Sequence, residues 1–189
     1  MAKPLQELGP FRGYDAGEEM PIGSYAVLVG GYLGLLGVTL RSLERAGALR
    51  RPVRPADLVL LGAATFHLSR LVTKDWVTAP VRAPFVRYET SKTAGEVSES
   101  SRGSGMRRAI GDLLSCNYCI GPWLSLGLLG AYSRWPGPTR FTAGVFALSG
   151  MSSFLNRAFS LFGTAYELGS KRTSSEALAI EAQEQQLHA

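Results

Sequence analysis

The chain alternates between long runs without charge and short segments in which charged residues are dense. The most uniform run extends from Ile22 to Leu40. As a helix rising about 1.5 Å per residue it would reach about 28 Å, close to the ~30 Å hydrocarbon core of a bilayer. Gly30, Gly34 and Gly37 recur at helical spacing within it, which favours close packing against another helix in lipid. The pattern predicts a transmembrane helix over residues 22–40.

Further apolar segments predict an all-α integral membrane bundle of about four transmembrane helices. These segments lie near residues 56–73, 113–133 and 139–157. The first of them is short, because its uncharged part, Leu58–Ser69, has only about 12 residues, and it spans only if Arg70 reaches the head groups. If it lies along the surface instead, three spans remain. Pro122 predicts a bend or a helix start within the third apolar segment.

The polar segments define the expected domain organisation. Residues 1–21 are predicted to be a flexible N-terminal tail, residues 22–168 the membrane domain, and residues 169–189 a polar C-terminal tail. A polar loop, residues 74–108, separates the second apolar segment from the third. Its part from Ser91 to Gly105 is rich in Ser, Gly and Glu, which is typical of a flexible loop.

The charge of the whole chain adds an expected partner and a topology. The net charge is +5 and the hydrophobic fraction is 46%. A basic balance suits either nucleic acid or an anionic membrane surface. Because the chain carries long apolar runs, we expect the lipid bilayer and not nucleic acid. With four spans, the positive-inside rule favours a multi-pass membrane protein with both termini in the cytoplasm.

Cys116 and Cys119 lie near the start of the third apolar segment, three residues apart and therefore on one face of a helix. Three interpretations stay open: inert buried cysteines, a reversible thiol–disulfide pair, and metal ligation. Zinc takes four ligands and the pair supplies two, so His67 is the candidate third, or a second chain contributes. No other cofactor is implied. At a cytoplasmic boundary we expect reduced thiols.

Four charged residues fall at the same predicted membrane boundary as the cysteines. They are Arg70, Asp75, Asp112 and Arg157. Charges near lipid are costly unless they are paired, so these residues are predicted to form a paired polar layer. The layer either neutralises charge at the interface or binds a proton, an ion or a small anion.

A proline-rich motif follows the second apolar segment, with Pro80, Arg82, Pro84 and Phe85 as its marked positions. Proline favours extended or turn structure there. Arginine next to aromatic residues suits contact with lipid head groups, and a protein-binding loop is equally consistent with the pattern.

The sequence contains no nucleophile–base pattern, no HExxH motif and no dinucleotide-binding context. Its two histidines are His67 and His188, which leaves little for catalysis. These observations favour a non-enzymatic membrane protein, a scaffold or partner of another membrane component or of a second copy. The alternative is a thiol-redox or metal-responsive membrane protein that uses Cys116 and Cys119.

Three stretches of the chain, Phe66–Asp75, Val77–Phe85 and Gly111–Trp123, together resemble the domain of unknown function 1360 family. In that family an apolar helix ends in Arg-Leu-x-x-x-Asp, a Pro-Arg-x-Pro-Phe-like loop follows, and Leu-x-x-Cys-x-x-Cys-x-Gly-x-Trp leads into a helix. Here Pro122 precedes the tryptophan where a bulkier residue is usual, and Asp112 stands where glutamate is usual.

The resemblance covers roughly residues 58–155 and leaves the first apolar run, residues 22–40, as an added element. It implies an uncharacterised bacterial membrane protein, with some family members associated with sporulation. It also implies that residues 56–73 span the membrane. It implies no established activity.

Overall fold

A computed structural model describes residues 20–50, 52–93 and 95–187. The described chain divides into two compact units, Met1–Ala147 and Leu148–Ala189. Its helices and strands follow the order α1 (Ile22–Arg45), α2 (Pro55–Lys74), α3 (Ala79–Arg82), β1 (Val86–Thr93), β2 (Glu96–Ser101), α4 (Gly105–Ser115), α5 (Asn117–Arg134) and α6 (Pro136–Leu187).

The core of the first unit lies where α2, α5 and the start of α6 meet. Leu61 and Ala64 of α2 are buried there together with Ala143 of α6. Leu128 and Tyr132 of α5 pack against them. The two alanines lack bulk beyond Cβ, which lets the helices approach closely. The core therefore fixes the apolar part of α2 against α5.

The segment predicted to be a flexible loop folds into an antiparallel hairpin. β1 pairs with β2 in a register that places Val86 opposite Ser101, and Gly95 has a φ of +95° at the turn. Val86 and Val97 are both buried. Because strand side chains alternate between faces, these two valines give the hairpin one apolar face to pack. The prediction of a flexible loop over Ser91–Gly105 is therefore wrong.

The third apolar segment begins with a sharp corner. α4 and α5 meet at Cys116, whose backbone is extended (φ −108°, ψ 108°), and the two helix axes differ in direction by 82°. Pro122 lies inside α5, beyond the corner. The expected bend is therefore present, but it lies at Cys116, six residues before the proline.

Two helices in the described residues, α1 and α2, are long and apolar enough to cross a membrane. The bent pair of α4 and α5 supplies a third if it counts as one span. The predicted segment 139–157 lies within the long helix α6, which is not among these candidates. The mostly helical fold class is confirmed, whereas the fourth span stays a prediction. The predicted C-terminal polar tail is helical as far as Leu187.

Candidate functional site

The side chain of Arg82 is fully buried beneath the hairpin and pairs with Glu99 of β2. Its Nε lies 2.6 Å from one carboxylate oxygen and its Nη2 lies 3.2 Å from the other. Its Nη1 donates to the carbonyl oxygen of Val72 at 2.7 Å and to the hydroxyl of Thr78 at 2.6 Å. Both Nη atoms lie 3.1 Å from the carbonyl oxygen of Asp75. Arg82 thus ties β2 to the end of α2.

These contacts correct the expectation that Arg82 lies on a surface for lipid head groups. A guanidinium has five N–H donors in a fixed plane. The donors of Arg82 are directed to acceptors within the protein, and its exposed fraction is 0%. It therefore has a structural role at this position.

Of the other motif positions, Pro84 and Phe85 contact α4. Pro80 lies in the first turn of α3, where its missing N–H costs little. The carbonyl oxygen of Pro84 accepts from Nε and Nη2 of Arg107, at 3.0 and 2.7 Å. The carbonyl oxygen of Phe85 lies 2.6 Å from where a Cβ on Gly111 would stand. The end of the motif thus forms part of the surface against which α4 packs.

The predicted polar layer exists in part, with different partners. Arg70 pairs with Glu96 of β2. Asp75 contributes its backbone, through its carbonyl oxygen to Arg82 and an isolated β-bridge to Glu96. Asp112 accepts a hydrogen bond of 2.5 Å from the hydroxyl of Tyr25, which joins α4 to α1.

Arg157 lies in the second unit, so its place in the polar layer stays a prediction. The residues that complete the layer, Glu96, Glu99 and Tyr25, were missed by sequence reasoning. The two glutamates lie on β2, within the segment that the sequence predicts to be a flexible loop. Glu96 and Glu99 lie 26 and 17 residues after their partners Arg70 and Arg82, and nothing in the sequence indicates which charges pair over such separations.

A second polar cluster lies at the opposite end of α2. Asp57 is 2% exposed and accepts a hydrogen bond of 2.6 Å from the hydroxyl of Tyr132. Its other carboxylate oxygen lies 3.1 Å from Nε of Arg140. A buried carboxylate is stable only when it is paired in this way. Asp57 is not among the site residues predicted from the sequence.

Cys116 and Cys119 form a disulfide at the corner between α4 and α5, with their Cα atoms 5.2 Å apart. That distance lies within the usual range for disulfides, about 4.4–6.8 Å. Cys116 is the N-cap residue of α5, and its sulfur accepts a hydrogen bond from the backbone N–H of Cys119 at 3.2 Å. The structure thus pairs the two cysteines, which differs from the expectation of reduced thiols, and the extended backbone of Cys116 allows the two sulfurs to approach each other.

Among the described residues, no three His, Cys, Asp or Glu side chains are grouped so that they could hold a metal ion. His67 is half-buried on α2 and does not complete such a group with the cysteines. Zinc at this pair remains a prediction that needs both cysteines as reduced thiolates and further ligands from a second chain.

An open groove of about 520 Å³ runs between α1 and α5. Leu35 and Leu43 of α1 line one wall, and Leu126 and Gly127 of α5 line the other. Arg134 lines one end of the groove. This is the end of α5 that lies near Asp57, because Arg134 is two residues after Tyr132, which contacts Asp57. The groove is thus mainly apolar, with the hydroxyl-bearing Thr39 and Ser42 among its lining residues, and it is cationic at one end.

The sequence pattern of the family described as Protein of unknown function (DUF1360) matches residues 60–159. The chain belongs to the DUF1360 family. It is also similar to Sporulation protein YjcA of Bacillus subtilis (strain 168), with 32% identity over 101 residues, which is 52% of this chain and 86% of that protein. No solved structure matches the chain.

The part that matches DUF1360 contains most of the geometry described above. It includes the hairpin, the Arg82–Glu99 pair, the disulfide corner, and Tyr132 and Arg140, whose shared partner Asp57 lies three residues before it. α1 precedes it, so the groove and the Tyr25–Asp112 contact join a DUF1360 part to an additional helix.

Proposed function

We propose that this DUF1360 protein is a multi-pass protein of the bacterial plasma membrane that acts as a scaffold or partner without chemistry of its own. The main support for this proposal is the position of the polar contacts, which lie at the two ends of α2. The hairpin cluster (Arg70, Arg82, Glu96 and Glu99) lies at the end of α2, and the Asp57 cluster (Asp57, Tyr132 and Arg140) lies at its start. The helix between them packs through apolar side chains.

The surface of α1 supports the membrane placement. Of its 24 residues only Leu43 is buried. Its large aliphatic side chains are 46–69% exposed at Val27, Val29, Leu33, Leu35, Val38 and Leu40. A soluble monomer rarely exposes so continuous an apolar face, whereas hydrocarbon covers one at no cost.

The polar clusters support a structural role in place of catalysis. Within the described residues, every buried side-chain nitrogen or oxygen has a hydrogen-bond partner. Catalytic groups need reach to a substrate, whereas Arg82 and Asp57 direct their polar atoms to residues of the same chain. Such closed networks fix the arrangement of helices and leave the surface for partners.

The membrane placement is tested by extracting cell membranes that contain the full-length chain. We expect the protein to stay in the pellet at high salt and in alkaline carbonate and to be released by mild detergent. Release by carbonate alone would contradict a multi-pass protein.

The scaffold role is tested by photo-crosslinking within intact membranes. A photoreactive residue at Val38, which is 69% exposed on α1, is expected to capture a second copy or another membrane protein. The control places the same residue at Ala64, which is fully buried, and is expected to give no intermolecular product. The absence of any such product from Val38 and from other exposed positions of α1 would argue against a scaffold.

A second candidate function is thiol–disulfide exchange, and the disulfide at the N-cap of α5 favours it. Cys119 is exposed, so a partner thiolate has access to its sulfur. Attack there would form a mixed disulfide and release the Cys116 thiolate, which a helix N-terminus stabilises. A second partner thiol would then resolve the mixed disulfide, so that the pair gains two electrons and two protons while the partner dithiol is oxidised.

This alternative is tested by replacing both cysteines. Under thiol–disulfide exchange, Cys116→Ser with Cys119→Ser abolishes the cellular phenotype of the protein and the mixed disulfide that trapping detects. Full function of the double variant would exclude the exchange role. A role in sporulation is a further part of the proposal, and the name of the Bacillus relative, a sporulation protein, supports it. It is tested by spore counts of a deletion strain with and without the restored gene.

A further inference from the structure

We propose that the groove between α1 and α5 holds one acyl chain of an anionic glycerophospholipid whose phosphate lies at Arg134. This inference rests on the proposed membrane placement and adds a ligand to it. The groove opens on the apolar surface of the helices, and Arg134 and Trp135 line its end. Trp135 is 62% exposed, and tryptophan is common at the level of lipid head groups.

The lining at one end of the groove favours a lipid chain over a partner helix. The walls extend from Leu35 to Leu43 on α1 and along α5 from Trp123 to Arg134, which corresponds to about 12–17 Å of helix. At the end of this length a guanidinium and an exposed tryptophan lie next to each other, which is the combination that suits a lipid head group.

The walls suit a hydrocarbon chain. The hydroxyl of Ser42 donates to the carbonyl oxygen of Thr39, so it does not present an unpaired donor to the groove. Trp123 packs edge-on against Tyr32, with ring centroids 5.4 Å apart, and limits the deep end. A Cβ at Gly127 would meet nothing within 4 Å, so this glycine leaves space that a lipid can fill.

The charge at the mouth selects the head group. In the described part of the chain, the ion pairs of Arg70, Arg82 and Arg140 have carboxylate partners, and no carboxylate pairs with Arg134. A guanidinium binds phosphate oxygens in a bidentate manner. Arg134 is thus available for a lipid phosphate at the depth where the acyl chain enters the groove.

Native mass spectrometry of the full-length chain in mild detergent tests this inference. Phosphatidylglycerol and phosphatidylcholine with identical acyl chains are added in turn. We expect the wild type to retain phosphatidylglycerol about fivefold better, the factor that one arginine near the membrane surface contributes. Arg134→Gln should bring this ratio close to one. Gly127→Leu should lower retention of both lipids by about tenfold.

The matched control is Gly62→Leu, because Gly62 is also a helical glycine with open space around it but lies outside the groove. We expect it to bind lipid as the wild type does. Circular dichroism confirms that each variant is helical, and Arg134→Gln keeps the test decisive if Gly127→Leu misfolds.

Equal retention of the two lipids by the wild type, or wild-type binding by Gly127→Leu, would overturn the inference. A dimer that Gly127→Leu abolishes would assign the groove to a second copy and would also overturn it. If the chain resists carbonate extraction yet retains no lipid, the inference alone fails. If carbonate releases the chain, the membrane proposal itself fails.

Discussion

At Gly111 the backbone of α4 lies against the hairpin with no room for a side chain. A Cβ there would stand 2.6 Å from the carbonyl oxygen of Phe85 and 2.9 Å from Cβ of Ser101. We expect Gly111→Ala to lower the free energy of unfolding by about 1–3 kcal/mol, because the hairpin must move away from α4. Denaturant titration of the purified protein in mild detergent measures the change.

The control is Gly62→Ala, a helical glycine whose Cβ would meet nothing within 4 Å. Alanine is favoured over glycine inside a helix by about 1 kcal/mol, so this variant should be neutral or slightly stabilised. Equal stability of the two variants would show that α4 does not press on the hairpin.

The Arg82–Glu99 pair gives the second prediction at this scale. Arg82→Met leaves the carboxylate of Glu99, 6% exposed, without its cation. Breaking a buried pair from one side costs about 3–5 kcal/mol, so we expect a loss of that size in the same titration. The double variant with Glu99→Met should lose less than the two single variants together, since it leaves no unpaired charge. Additive losses would mean that the two side chains do not interact.

Single residues were the part of the site most accessible from sequence. Arg82, Cys116 and Cys119 stand out by type and spacing, and the structure gives each a defined place. The burial of Arg82 could not be predicted from the sequence, because it depends on the carboxylate of Glu99, which lies 17 residues away on a strand. A sequence pattern reports local periodicity and carries little information on such distant pairs.

At the scale of helices and strands, the contact of Tyr25 with Asp112 joins α1 to α4 across 87 residues of sequence. We expect Tyr25→Phe to lower the free energy of unfolding by about 1.5–3 kcal/mol, because a hydrogen bond to a charged group contributes about that much. Tyr118→Phe is the control, because Tyr118 is 86% exposed and should lose almost nothing. Thermal unfolding in detergent, followed by helical circular dichroism, compares the two variants, and equal midpoints would contradict the structural role of this contact.

Helices were predicted well where apolar runs are long, as in α1 and α2. The hairpin was missed because its second strand contains only Ser and Glu apart from Val97, and those residues are more typical of loops than of strands. Its stability comes from two buried valines and from Arg82, which are contacts with other segments. The corner at Cys116 was misplaced because Pro122 is the stronger local signal for a break.

At the scale of the whole molecule, the two ends of the helical unit should face opposite sides of the membrane. The proposed topology places the N-terminus and the hairpin cluster in the cytoplasm. In a background with Cys116→Ser and Cys119→Ser, we expect Leu49→Cys to react with a membrane-impermeant maleimide in intact cells. Ser104→Cys should react only after lysis. Both positions are exposed, so a difference reports the side of the membrane.

The opposite labelling pattern would invert the topology, and it would also suit the disulfide. Cytoplasmic thiols are normally kept reduced, whereas disulfides persist outside. The disulfide between Cys116 and Cys119 therefore favours placing this end of the helices outside the cytoplasm, whereas the charge distribution favours placing it inside. The number of spans was the hardest feature to predict from the sequence, because α2 and α6 carry charges within or beside their apolar runs.

The spacing of the two polar clusters has a consequence for the choice of bilayer. Asp57 and Arg70 are 13 residues apart on one helix, which corresponds to about 20 Å along its axis. The hydrocarbon core of an average bilayer is about 30 Å thick, so the proposed placement leaves a hydrophobic mismatch around α2. Reconstitution in lipids of increasing acyl length should therefore lower the thermal stability of the protein, with the highest midpoint in the thinnest bilayers. The protein would then sort into thin or locally thinned regions of its membrane.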